Sequence, residues 1–167
     1  LVVKVPGGEG GVGVLRADSL PALVGLLEWL LARGERVRLS AFVPEAMHWR
    51  LLVVGDRVVT AYRNPVRRDD FRSSPSGDLA DYGLTPPPEA ARIAVAAAHT
   101  LGVDTVGADV LVDPGGACYL LEANFPCFFA QASEAADIDV AGPMLDYLLA
   151  KATRGSSGAE PPTGLSR

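Results

Sequence analysis

TVGADVLVDPGGACYLLEAN, Thr105 to Asn124, is two apolar, strand-like runs around the turn residues Asp113-Pro-Gly-Gly116, the pattern of a β-hairpin. With the turn symmetric about Pro114-Gly115, Asp109 lies opposite Leu120 and Glu122 opposite Gly107. Side chains alternate along a strand, so Asp109, Glu122 and Asn124 then share one face, with the two carboxylates as diagonal neighbours. Two carboxylates and an amide oxygen are hard-oxygen ligands, suited to Mg²⁺ (or Mn²⁺) whose shell is completed by phosphate oxygens. The alternative is a solvated face carrying three unrelated polar residues. A bulge in the hairpin would change the register on which the metal reading rests.

Outward from the hairpin the pattern is α+β. Leu1 to Val5 is a strand that enters the glycine-rich loop Gly7 to Gly13, with five glycines in its seven positions. A helix is predicted around Leu20 to Arg33, with Asp18 or Ser19 as N-cap and Gly34 as stop. Arg36 to Val43 reads as a strand, and Arg50 to Val54 pairs with Arg57 to Arg63 about Gly55-Asp56. Asn64 to Thr85 is a polar loop. Helices follow at Glu89 to Leu101 and Ile138 to Ala152, and Thr153 to Arg167 is a Gly-, Ser- and Pro-rich tail expected to be disordered.

The 167 residues are 49% hydrophobic with a net charge of −5. That is enough apolar content for one core, and the acidic balance argues against nucleic acid or an anionic membrane as partner. No apolar run approaches a membrane span and no basic-then-apolar leader precedes the first strand, so cytoplasm is the expected compartment. Cys118 and Cys127 lack metal-site spacing and read as small buried thiols. No Ser-His-Asp or Cys-His arrangement is expected.

Lys4, on the strand before the glycine loop, is either an outward residue on an edge strand or an inward cation awaiting a phosphate. The loop itself is either a plain flexible connection or a phosphate cradle. In the middle hairpin, His48 pairs with Arg63 and Arg50 with Ala61, placing three cationic or polar side chains together for phosphate or carboxylate recognition. Arg67, Arg68 and Arg72 extend this basic character, or are simply solvated. Ala41-Phe-Val43 either floors an adenine or enters the core.

In this order the pieces resemble the ATP-grasp superfamily, closest to its RimK-like (α-L-glutamate ligase) branch. The resemblance runs from LVVKVPGGEGGVGV through AFVPEAMHWRLLVVGDRVVTAYR and DFRSSPSGD to GADVLVDPGGACYLLEANFPCFF. It implies antiparallel sheets flanked by helices, without the family's N-terminal domain, and an ATP-grasp domain over residues 1–152. Within it, residues 1–43 form the glycine-loop and adenine portion and 44–152 the metal-binding portion. It implies ATP contacts from Lys4, Gly8, Gly10, Gly11, Gly13, Ala41, Phe42, Val43, His48, Arg50 and Ser74. His48 stands where the family has a ribose-contacting acid, and Ser74 where its phosphate loop has an asparagine. Asp109, Glu122 and Asn124 match the Mg²⁺ ligands, and Arg63 and Arg72 are the expected catalytic cations. The implied activity is amide-bond formation through an acylphosphate, from amino-acid or peptide-like substrates, with an apolar acceptor site lined by Phe125 to Phe129. A chain opening in mid-sheet is expected to lack upstream sequence, to be a poor catalyst alone and to self-associate.

Overall fold

The computed structural model describes residues 1–7, 10–66 and 70–156, the last two of these as backbone only. Strands β1 (Val2–Lys4), β2 (Val14–Arg16) and β3 (Arg38–Ser40) form an antiparallel sheet in the order β2-β1-β3. Helix α1 (Leu20–Ala32) lies on it, burying Leu23 and Leu30 against Val3 and Ala17. Its start is as the sequence predicts, because Ser19 Oγ accepts from Ala22 N at 3.2 Å. Gly34 ends the helix at φ +78°. β2 was not expected. It is the return arm of the glycine loop, registered by Val5 N donating to Gly13 O at 2.9 Å. Of the strand expected over Arg36 to Val43 only β3 is in the sheet, and Ala41 onward leaves it.

The second sheet is antiparallel, ordered β5-β4-β6-β7, from β4 (Met47–Val54), β5 (Arg57–Asn64), β6 (Thr105–Val112) and β7 (Cys118–Asn124). Helix α2 (Pro88–Leu101) covers one face. Its buried positions Ala90, Ala94 and Ala98 pack with Leu51, Val53, Ala61, Val106, Ala108 and Val110. Small side chains let the helix backbone approach the sheet closely, and the α2 stop at Gly102 is left-handed, φ +66°.

Beyond β7 a short helix that was not expected precedes the one predicted over Ile138 to Ala152. α3 (Ala130–Ala136) ends at Asp137, φ +50°, and α4 (Ala141–Ser156) runs four residues into the segment expected to be a tail. Residues 157–167 lie outside the described residues. No helix among the described residues is long and apolar enough to cross a membrane.

Candidate functional site

The face of the second sheet opposite α2 carries the site. Glu122 is opposite Asp109, and Asn124 is opposite Gly107, a register two residues from the expected one. One residue of the difference comes from the turn, where Val112 pairs with Cys118. The other is a bulge that leaves Leu121 unpaired between Asp109 and Val110. Because the shifts sum to an even number, Asp109 and Glu122 stay on one face and become direct neighbours instead of diagonal ones. Either shift alone would have sent Glu122 to the α2 side.

The same row continues across the sheet. Arg50 is opposite Asp109 on β4, and Tyr62 is opposite Arg50 on β5. Arg50 Nη1 donates to Asp109 Oδ2. Asn124 Nδ2 donates to Asp109 Oδ2 at 3.1 Å and to Glu122 Oε1 at 3.0 Å. Asp109 is 3% exposed, so its charge is held by these partners and not by water. Two buried polar atoms here, Arg50 Nε and Asn64 Oδ1, have no partner among the described residues. Tyr62 stacks on Tyr82 with centroids 5.0 Å apart, and burial raises its hydroxyl pKa against the lowering effect of Arg50.

Gly107 is a site residue that the sequence reading did not single out. A Cβ there would fall 2.8 Å from Arg50 Nε, so the guanidinium lies directly over this glycine. The available signal was a glycine interrupting a strand, which marks a close approach.

The expected trio of His48, Arg50 and Arg63 does not form. A bulge between Leu52 and Val53 slides β5 by one residue, so Arg63 is opposite Trp49 and Asn64 is opposite His48. A one-residue slip reverses the face. Arg63 is therefore on the α2 side, paired with Asp81 at 2.7 Å. His48 stays, 9% exposed. Its Nε2 is 2.9 Å from Asp109 Oδ1, and its Nδ1 meets Ser73 Oγ. Both ring nitrogens are engaged within the protein. The chain Ser73–His48–Asp109 contradicts the expected absence of such an arrangement. The ring nitrogens are reversed relative to a serine-hydrolase triad, and Asp109 is already neutralised by Arg50.

Arg72 meets the glycine loop. Its Nη1 donates to Gly11 O at 3.0 Å, and Nε and Nη2 hold the Asp70 carboxylate, Nη2 at 2.7 Å. This pairing draws the Asp70 pKa from its ordinary 3.8 to about 2. Gly10, Gly11 and Gly13 all have positive φ, and a Cβ on Gly13 would press on Val5 O at 3.0 Å. Gly8, Arg67 and Arg68 lie outside the described residues. Lys4 is half-buried, between Val14 and Arg38 in register. Ser74 N donates to Pro65 O at 3.3 Å, and its neighbour Ser73 meets His48 Nδ1.

Ala41, Phe42 and Val43 wall a cleft of about 660 Å³ whose other side is Leu111, Leu120 and Leu121 of the carboxylate hairpin. Phe42 lies under the Arg16 guanidinium, 4.1 Å from its ring centroid, and edge-on to Phe71. A second hollow of about 730 Å³, between β5 and α2, is lined by none of the expected site residues.

A divalent cation fits the donor set. The Asn124 amide hydrogens lie between both carboxylates, where they do in part what a cation would do; turning the amide over presents a third hard oxygen. Among the described residues no three His, Cys, Asp or Glu side chains converge as metal ligands, so a metal here depends on Asn124 and on oxygens from outside the chain.

This architecture is that of the ATP-grasp ligases. ATP-grasp ligase PsnB, complexed with minimal precursor, Mg and ADP, superposes with a TM-score of 0.65 at 24% identity, over 90% of this chain and 46% of that one. The D-alanine-D-alanine ligase from Coxiella burnetii gives 0.61 at 14% identity, over 93% and 45%. Within that class, the model of the RimK-like ATP-grasp domain matches residues 1–148, and the chain belongs to that family. A probable alpha-L-glutamate ligase from Haemophilus ducreyi is 34% identical over 154 residues, 90% of this chain and 50% of that protein. The ribosomal protein bS6--L-glutamate ligase of Escherichia coli is 30% identical over 155 residues, 92% and 51%. The chain spans about half the length of the curated relatives it matches.

Proposed function

We propose that this chain is the nucleotide- and metal-binding part of an ATP-dependent carboxylate–amine ligase. The observation that supports it most is the straight row Arg50–Asp109–Glu122 with Asn124 beside it, adjoining the cleft walled by Ala41 to Val43. Adenine occupies that cleft, and the phosphates run between the glycine loop and the carboxylates. Mg²⁺ held by Asp109, Glu122 and Asn124 supplies positive charge to the phosphate oxygens when bound. Arg50 keeps Asp109 aimed, and Arg72, resting on Gly11, exchanges that carbonyl for phosphate oxygen when the nucleotide binds.

A substrate carboxylate oxygen attacks the γ-phosphorus and ADP leaves. An amine then attacks the acylphosphate carbon, phosphate leaves, and the amine loses its proton as the amide forms. The chain's own share is to position and neutralise, which is most of what phosphoryl transfer asks of a protein. The acid is an amino acid or peptide-like and the nucleophile an amine, a pairing in line with a relative whose name joins ribosomal protein bS6 and L-glutamate. The exposed Phe125 and Phe128, following Asn124, suit an apolar portion of the acceptor.

Calorimetric titration with ADP tests the site. Binding should require Mg²⁺ or Mn²⁺, and Glu122→Gln should weaken it by about 100-fold or more, since loss of a partner that only orients a ligand already costs about 10–100-fold. Unchanged affinity in that variant removes the metal assignment. A second reading, a nucleotide-binding module without ligase activity, is favoured by one observation, the engagement of Arg63 with Asp81 on the far face. Release of phosphate and ADP by the complete protein with an amino-acid pair decides for the ligase; retained MgADP binding without release decides for the module.

A further inference from the structure

His48 is one of the residues at which this chain departs from its resemblance, and its surroundings give it different work. A carboxylate only accepts, so His48 Nε2 carries the proton toward Asp109 Oδ1. In the neutral ring this leaves Nδ1 to accept the Ser73 hydroxyl proton. One imidazole thus spans from β6 to the loop that carries Arg72. The same loop is also tied by a bridge between Val66 and Ser73 and by Ser74 N donating to Pro65 O at 3.3 Å. The next residue, Arg72, donates to Gly11 O of the glycine loop at 3.0 Å. Asp109, His48, Ser73, Arg72 and Gly11 therefore form one polar path from the second sheet to the first.

We propose that His48 is a positioning residue, tying the Arg72 loop to Asp109 and thereby setting where Arg72 meets the glycine loop. The aspartate or glutamate of the resemblance could not do this, since a carboxylate cannot donate to Asp109. The tie exists without nucleotide. Its consequence for phosphate handling rests on the ligase reading.

Amide hydrogen exchange of the nucleotide-free chain tests it, on Arg72 to Ser74 and on Val14, whose N–H donates to Gly11 O. Loss of one hydrogen bond at this position should speed exchange about tenfold. Ser73→Ala should show that effect, and Ser73→Thr, which keeps the hydroxyl, should return the rates to parental. His48→Ala should match Ser73→Ala, and the double variant should be no faster than either. Parental rates in Ser73→Ala overturn the proposal, as do failure of Ser73→Thr to restore them and additive effects in the double variant. Ser73→Ala removes one hydroxyl and no packing, so it stays informative if His48→Ala does not fold. A MgADP titration of the parent chain is the separate arm: no binding there overturns the ligase reading and leaves the loop result standing.

Discussion

Gly107 has no side chain, and the Arg50 guanidinium occupies the space one would take. The obstructing atoms are the far end of a flexible side chain, so Gly107→Ala should be tolerated by the fold. It should not be tolerated by the site, because Arg50 must leave Asp109 to make room. The expected outcome is a urea midpoint near parental with MgADP affinity about tenfold weaker, the loss of one charge-assisted bond. Affinity unchanged in calorimetry would show that Arg50 does not orient Asp109. Asp70 tests the Arg72 clamp by pH. Its pKa is lowered in the folded chain, so the clamp's contribution is complete above the ordinary 3.8 and is lost as pH falls through about 2. The Asp70 carboxyl carbon should titrate near 2 by NMR and near 3.8 in Arg72→Ala. An identical midpoint in both would exclude the clamp in solution. Cys127 is a thiol whose pKa burial raises, with Arg50 opposing, which matches an inert group more than a nucleophile.

At the scale of elements, two bulges of one residue each decide which side chains meet. The bulge in β7 keeps Glu122 beside Asp109, whereas the bulge between β4 and β5 turns Arg63 away from His48. Alternation of apolar residues is too tolerant to reveal either, since β5 presents residues of mixed character on both faces. The β4–β5 turn adds a tertiary demand. Gly55 has φ +58°, and a Cβ there would lie 2.3 Å from the Tyr147 ring of α4. Gly102 also has positive φ, +66°, but faces open space. Gly102→Ala should therefore cost about 1 kcal/mol and Gly55→Ala about 3 kcal/mol. Urea denaturation reads both, and in a Tyr147→Ala background the two penalties should converge. Persistence of the difference would mean that the ring is not its cause.

The whole molecule brings Ala41 to Val43, which follow the first sheet, against the hairpin of the second. A ligand spanning both should stabilise them together. MgADP at about 100 times its Kd should add about 2.7 kcal/mol, a rise in Tm of about 5–10 °C for a chain of this size. A shift of that kind without divalent cation, or none with it, would contradict a site shared by cleft and carboxylates. α1 extends its apolar surface beyond the buried Leu23 and Leu30, with Leu20, Val24 and Leu31 exposed along one flank of that stripe. Much of this was legible from residues alone. Caps, glycine stops and strand alternation are local, so α1, α2, both hairpins and the common face of Glu122 and Asn124 follow from nearest neighbours in the chain, whereas Asp109 joins that face only because two register shifts cancel. The partners of those residues do not. That Arg50 lies over Gly107, that Arg63 faces Asp81, that His48 links Ser73 to Asp109 and that Arg72 reaches Gly11 all depend on register and on contacts between segments far apart in sequence. One residue of slip leaves a strand's composition unchanged but reverses every side chain on it, so only the packed sheets could choose.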